Sequence, residues 1–199
     1  RPESPRGAVN MIHWLVLQGR TEEARERAGQ LAASPPADTR ALEAAMTGLA
    51  YVGDSPGIRD LFEAALAAGQ RPSATAYHLA GTAACRLGDE RTAQRYWHRA
   101  VNRDAGMTPA AENLEDRARP EDEQNGPWFL GYVDWLPPVV RADFEQLLEG
   151  GVEPGQSSEQ EMRELIAGQA PWLPAAVPAL LREGDNRMRS LALVVALAS

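Results

Sequence analysis

Apolar residues recur at three- and four-residue steps through the first half of the chain. This is the period of one face of an α-helix, and it predicts a series of amphipathic helices. Three of these helices combine small and large residues on the same face, which lets neighbouring helices approach closely. The three sets are Ala24, Ala28 and Leu31, then Ile58, Phe62 and Ala65, and then Ala93, Trp97 and Ala100.

Glycine turns separate the helical patterns at a nearly constant spacing. Gly19, Gly53 and Gly88 each follow one apolar pattern and precede another, and they lie 34 and 35 residues apart. A fixed period of this length is typical of stacked helix pairs. The residues that can cap the helix after each turn are Thr21, Ser55 and Asp89. The predicted helix pairs cover residues 5–38, 39–73 and 74–105.

The third pair resembles a tetratricopeptide repeat. The positions that carry the resemblance are Tyr77, Gly81, Leu87, Gly88, Ala93, Trp97 and Ala100. The first two pairs keep the turn glycine and the small-residue face, but Ile12 and Met46 stand where the family usually has a small residue. The resemblance implies an all-α fold, in which antiparallel helix pairs form a right-handed superhelix and the first helices line a concave groove. We expect further packed helices after this stack.

The chain changes character after the third pair. Thr108 and Pro109 open a short helical pattern that we expect to cap the stack, so that the repeat region covers residues 5–118. A Pro-rich connector over residues 119–138 follows. It contains the most aromatic stretch of the chain, with Trp128, Phe129, Tyr132 and Trp135. We expect these side chains to pack across the stack as a plug, and an exposed aromatic binding patch is the alternative.

The remaining region, residues 139–199, is predicted to be helical. Apolar positions mark the inward face of one helix, and a capping-box pattern opens another. The residues concerned are Val140, Phe144, Leu147 and Leu148 for the first, and Ser158 and Glu161 for the second.

The last two helical patterns resemble a HEAT-like pair. They are joined at Gly184, and Asp185 and Arg189 follow the turn. The final helix is apolar on most of its faces, so we expect something to cover it. Either further helices of a longer chain or a homodimer contact could cover this helix, and the sequence does not distinguish between them. The absence of an initiating Met leads us to expect that the chain begins inside a longer protein.

Composition and charge narrow the range of functions. The 199 residues include 28 acidic and 20 basic side chains, every basic one being arginine, and the net charge is −8. This charge argues against a nucleic-acid groove. The longest apolar stretch is too short to cross a membrane. The single cysteine, Cys85, allows no internal disulfide and fits a reducing compartment, so we expect a cytoplasmic protein without nucleic-acid or membrane contacts.

The sequence contains no recognisable pattern of catalytic or metal-binding residues. His13, His78 and His98 lack the spacing of metal ligands, and there is no phosphate-binding glycine loop. Acidic pairs fall at helix starts or in loops, where they complement helix dipoles or face solvent. Cys85 lies on an apolar helix, where we expect it to be buried and unreactive. We therefore predict no enzymatic activity, no metal and no cofactor.

The concave groove is the predicted binding site. By register it is lined by Arg6, His13, Leu17, Arg40, Glu43, Thr47, Tyr51, Thr75, His78, Thr82 and Arg86. This set lacks asparagine and includes Glu43, which argues against the capture of a C-terminal carboxylate that some family members perform. We predict a non-catalytic scaffold that binds a peptide or partner segment there. The alternatives are a structural or regulatory module with its groove filled by its own second half, and an enzyme whose catalytic domain lies outside this chain.

Overall fold

The computed structural model describes residues 4–138, 141–142, 163–164, 166–168 and 170–198. Every regular element in this part of the chain is helical, which confirms the predicted all-α class. The α-helices are α1 (Pro5–Leu17), α2 (Thr21–Ala32), α3 (Thr39–Tyr51), α4 (Ser55–Ala67), α5 (Ala74–Arg86), α6 (Glu90–Arg103), α7 (Thr108–Arg117), α8 (Tyr132–Trp135), α9 (Leu173–Glu183) and α10 (Asn186–Ala198). A short 3-10 helix covers Glu121–Glu123.

Helices α1 to α6 form three antiparallel pairs that pack in the order of the sequence, consistent with a helical-repeat fold. Each pair contacts the next one, and the first helices also contact one another directly: α1 contacts α3, and α3 contacts α5. Helix α7 continues this layer because it packs against both α5 and α6. Residues 125–135 bind the layer formed by α1, α3, α5 and α7.

The turn within each pair has the same backbone geometry. Gly19, Gly53 and Gly88 adopt positive φ angles of 72°, 73° and 87°. After α1, the amide of Gly19 donates to the carbonyl of Val16, and the amide of Arg20 donates to the carbonyl of Leu15. The same two hydrogen bonds recur after α3 and α5. This is a Schellman motif, whose left-handed residue favours glycine because it has no Cβ.

Two of the three predicted helix caps are wrong by one residue. Asp54, not Ser55, precedes α4, and its carboxylate accepts a hydrogen bond from the amide of Gly57 at 2.9 Å. Arg20, not Thr21, precedes α2, and its side chain makes no capping bond. Asp89 caps α6 as predicted, through the amide of Thr92. A helix begins directly after the residue whose side chain accepts a hydrogen bond from one of its first free amides. For α4 that residue is Asp54, which lies one position before Ser55.

The core of the third pair depends on a close approach between α5 and α6. Trp97 is fully buried and lies across Gly81, so that a Cβ atom at Gly81 would be 2.7 Å from Cδ1 of Trp97. The indole nitrogen of Trp97 donates to the hydroxyl of Thr82 at 3.3 Å. Glycine is therefore required here by space, as it is not at Gly29 on α2, which has no neighbouring atom within 4 Å.

Two identical substitutions should therefore have opposite effects on stability. We expect Gly81→Ala to lower the free energy of unfolding by about 1–3 kcal/mol, because Trp97 has no room to move. We expect Gly29→Ala to raise it by about 0.5–1 kcal/mol, because the added methyl group restricts the unfolded chain without any contact in the fold. Urea unfolding of the two variants and the wild type measures both changes. Equal effects would contradict the tight α5–α6 contact.

The C-terminal pair, α9 and α10, packs against the turn end of the repeats. The backbone of Ala175 lies beside Gly19, and a Cβ atom at Gly53 would overlap the carboxylate of Glu183. Helix α9 contacts α1, and α10 contacts α8. The outer face of α10 is open, with Leu193 and Leu197 56% and 80% exposed.

The predicted inward face of a helix after residue 138 and the capping-box pattern lie outside the described residues. The positions concerned are Val140, Phe144, Leu147, Leu148, Ser158 and Glu161.

Candidate functional site

Residues 125–136, here called the groove segment, run along the layer of first helices. Their large side chains are buried: Trp128, Phe129, Leu130, Tyr132, Trp135 and Leu136 are each 6% exposed or less. The segment is irregular apart from the single turn of α8, so most of its backbone groups need hydrogen-bond partners outside the segment. Buried backbone groups need partners, and here the surrounding helices supply them.

The first helices bind carbonyl oxygens of the groove segment through polar side chains. Each of α1, α3 and α5 contributes at least one. Nε2 of His13 lies 3.1 Å from the oxygen of Trp135, the hydroxyl of Tyr51 donates to Asp134 at 2.8 Å, Nε2 of His78 lies 2.7 Å from the oxygen of Phe129, the hydroxyl of Thr82 donates to Trp128 at 3.3 Å, and the guanidinium of Arg86 donates to Pro127 at 3.0 Å. These contacts bind main-chain oxygens, so they do not depend on the identity of the side chains in the groove segment.

Helix α7 holds the start of the segment through two buried polar residues. The amide group of Asn113 donates to the carbonyl of Trp128 at 2.9 Å and accepts from its N–H at 3.1 Å. The carboxylate of Asp116 accepts from the N–H groups of Asn125 and Gly126 at 2.9 and 2.8 Å. Asn113 is fully buried and Asp116 is 3% exposed, so both side chains are committed to the segment.

The C-terminal pair closes the other side of the segment. Asp185 accepts from the N–H of Tyr132 at 2.6 Å and from the N–H of Met188 at 2.9 Å, so it also caps α10. Arg189 donates to the carbonyl of Asn125 at 2.7 Å. Glu183 at the end of α9 pairs with Arg86, whose guanidinium also lies 4.4 Å from the ring centre of Phe129. The segment is therefore enclosed between the first helices and the C-terminal pair.

Comparison of the chain with protein-family models, curated proteins and solved structures finds no match. What the site can do must therefore be argued from its own geometry. Among the described residues, no group of His, Cys, Asp and Glu is arranged to hold a metal ion. In the same part of the chain, no helix combines the length and the apolarity needed to span a bilayer.

Burial disfavours the charged form of both histidines of the site. Burial lowers the pKa of His78 to about 4, although the hydrogen bond to Phe129 opposes the shift. Burial also lowers the pKa of His13, with an opposing contribution from the carbonyl of Trp135. A neutral ring can donate through Nε2 and leave Nδ1 without a proton. Nδ1 of His78 is buried and has no hydrogen-bond partner among the described residues, so a proton placed there would be unpaired.

Aromatic rings fill the space at the end of the segment. The ring of His13 stacks on Tyr51 with centroids 4.4 Å apart, and Trp135 meets the Tyr51 ring edge-on at 5.2 Å. Burial raises the pKa of Tyr51, and Asp134 adds to the shift, so the phenol keeps the proton that it donates to Asp134. Because Trp135 is completely buried, this cluster is part of the core.

The eleven predicted groove residues fall into two groups. His13, Tyr51, His78, Thr82 and Arg86 bind the groove segment. Among the others, Leu17 is buried in the core, Arg6 and Arg40 are exposed, and Glu43, Thr47 and Thr75 are half-buried.

Side chains that bind the groove segment but were not predicted to do so include Asn113, Asp116, Arg141, Asp185 and Arg189. A signal for the first two exists. Ala110, Asn113 and Asp116 lie at three-residue steps and face the core together. Polar residues on the inward face of a helix indicate a buried polar contact, since such groups are rarely left unpaired.

Cys85 is buried and lies outside this network of hydrogen bonds. Its thiol donates to the carboxylate of Glu90 at 3.3 Å. Burial raises the pKa of the thiol to about 12, and the hydrogen bond and charge of Glu90 add to the shift. A thiol that stays protonated is a poor nucleophile, so burial lowers the reactivity of Cys85.

Proposed function

We propose that this protein is a non-catalytic, tetratricopeptide-like interaction module whose concave groove is occupied by its own groove segment. One observation carries the proposal. Eight side chains from α1, α3, α5, α7 and α10, together with Asp185 before α10, bind the main chain of residues 125–135, where a repeat protein of this type would bind a partner peptide. Their hydrogen bonds fix the segment in a single register.

Self-occupancy of the groove supports a structural or regulatory role within a larger assembly. Partners would then bind other surfaces of the stack, or the part of the predicted groove that the segment leaves accessible. The exposed side chains of Arg6 and Arg40 belong to that part. The free cysteine Cys85 is compatible with a reducing compartment, and we propose the cytoplasm.

Acrylamide quenching tests whether the segment stays in the groove. In a variant with Trp14→Phe and Trp172→Phe, the remaining tryptophans are Trp97, Trp128 and Trp135, each 5% exposed or less. We expect their fluorescence to be strongly shielded from acrylamide. The wild type should keep a quenched component because Trp14 is 44% exposed. Free quenching in the double variant would contradict the proposal and assign the aromatic stretch to an exposed patch.

A competition experiment separates self-occupancy from capture of a separate partner. We expect a fluorescent synthetic peptide with the sequence of residues 124–137 to show no saturable binding to the intact protein, because the groove already holds that sequence. Saturable binding would mean that the segment exchanges with added peptide. That result would favour the scaffold that binds a partner segment in its groove.

A further inference from the structure

Helix α6 carries a stripe of four arginines on its outer face. Arg91, Arg95, Arg99 and Arg103 follow one another at four-residue steps, and all four are exposed. At a rise of about 1.5 Å per residue the stripe is roughly 18 Å long. Glu90 is the only acidic residue of α6, so the helix has a charge of +3 in a protein with a net charge of −8. This is a strong local reversal of charge.

Three of the four arginines of the stripe lie over tyrosine rings, and the charge of Asp89, which caps the helix, acts on Arg91 and Arg95. Arg95 lies 5.2 Å from the ring centre of Tyr96, and Arg99 and Arg103 lie 5.7 and 5.6 Å from the ring centre of Tyr77. Within the described part of the chain, none of the four forms an ion pair with a carboxylate. Stacking on a tyrosine fixes the plane of a guanidinium and leaves N–H donors at its edge free for another group.

Three other exposed arginines of the protein pair with neighbouring acidic residues. On α2, Arg25 pairs with Glu22, and Arg20 before the helix pairs with Glu23 at 2.6 Å. On α4, Arg59 pairs with Asp60 at 2.7 Å. Like charges at four-residue steps on a helix repel one another. The α6 stripe is therefore a site where added negative charge would lower the free energy.

We propose that the arginine stripe of α6 is a docking surface for an acidic helix or segment of a partner protein. Carboxylates that repeat every four residues on a partner helix would match the spacing of the four guanidinium groups. Arginine binds carboxylates with two parallel hydrogen bonds, which adds geometric specificity to charge attraction. A protein partner fits better than a nucleic acid, because the net charge of −8 opposes a long polyanion and the stripe offers only four cations. The docking surface does not depend on the state of the groove.

A designed peptide tests the stripe. The probe is a fluorescent, alanine-based 18-residue peptide with glutamates at four successive four-residue steps, and its control is the same composition in scrambled order. We expect the designed peptide to bind the intact protein in low salt and to lose affinity as salt is added. The variant Arg95→Gln, Arg99→Gln, Arg103→Gln should weaken binding at least about tenfold, since each desolvated charge pair contributes to affinity. The matched control is Arg20→Gln with Arg25→Gln, which should leave affinity unchanged.

Several outcomes would overturn the proposal. Unchanged affinity in the triple variant, or an equal loss in the α2 control, would mean that the stripe is not the binding surface. Equal binding of the scrambled peptide would remove the spacing argument. Tighter binding of a 20-base-pair DNA duplex, or of vesicles containing phosphatidylserine, would assign the stripe to another class of partner. If the triple glutamine variant does not fold, a variant with lysine at the same three positions replaces it. Lysine keeps the positive charge, so this variant is expected to retain salt-dependent binding. Failure of the lysine variant to bind would also count against the proposal.

Discussion

Replacing Trp135 by alanine is expected to lower the free energy of unfolding by about 3–5 kcal/mol, the usual range for removing a buried tryptophan. Trp135 is 0% exposed and packs edge-on against Tyr51 and His13. The substitution leaves a cavity at the end of the groove segment. The effect is one of packing alone, because the indole N–H of Trp135 has no hydrogen-bond partner among the described residues. Urea unfolding followed by circular dichroism measures the change.

Val133 provides the matched control for this experiment. It lies two residues before Trp135 on the same short helix and is 53% exposed. Val133→Ala should change the free energy of unfolding by no more than about 0.5 kcal/mol, as is usual for surface substitutions. Similar small losses in both variants would show that the end of the groove segment does not contribute to the core, and that the aromatic residues pack elsewhere.

The fold class could be predicted from the sequence because its signals are local. The turn glycines lie 34 and 35 residues apart, and each produces the same two backbone hydrogen bonds. The small-residue faces of α2, α4 and α6 also follow directly from helix geometry. The helix N-caps are harder to predict from the sequence. Two adjacent polar residues such as Asp54 and Ser55 can both cap a helix, and only the backbone angles decide which one does.

The groove residues could be predicted only in part. His13, Tyr51, His78, Thr82 and Arg86 lie on one face of the three first helices, so the repeat register alone places them on one surface. Their common occupant could not be assigned, because nothing in a local pattern brings residue 135 next to residue 13. The contacts of Asp185 and Arg189, which were not predicted, also connect parts of the chain distant in sequence.

The arginine stripe is a feature that the overall charge of the sequence does not predict. Along the chain as a whole, arginines and acidic residues alternate, and the net charge of −8 conceals any local excess. Only the helix register of α6 shows that four arginines share one stripe. Whether such side chains are neutralised depends on which acidic groups the tertiary structure brings near them, and this cannot be derived from spacing.

Acidification should weaken the fold through His78. The pKa of this ring is about 4 in the fold and about 6.5 in an unfolded chain. Between these two values the unfolded state binds a proton that the folded state excludes, so stability falls as the pH falls. The full difference corresponds to about 3 kcal/mol, lost as the pH decreases from about 6.5 to about 4. The physical reason is that Nδ1 of the buried ring has no acceptor for a second proton among the described residues.

The variant His78→Gln isolates this effect from the other titrations. Its amide can still donate to the carbonyl of Phe129, but it does not titrate. His13, whose pKa is also lowered by burial, acts in the same direction, whereas Asp134, whose pKa is raised by burial, opposes it. We therefore expect urea unfolding between pH 7 and pH 4.5 to give a smaller loss of stability in His78→Gln than in the wild type. His98→Gln, at an exposed position on α6, should follow the wild type. Identical pH dependence in all three proteins would mean that His78 is not held neutral against the groove segment, and that the segment is less enclosed than its contacts indicate.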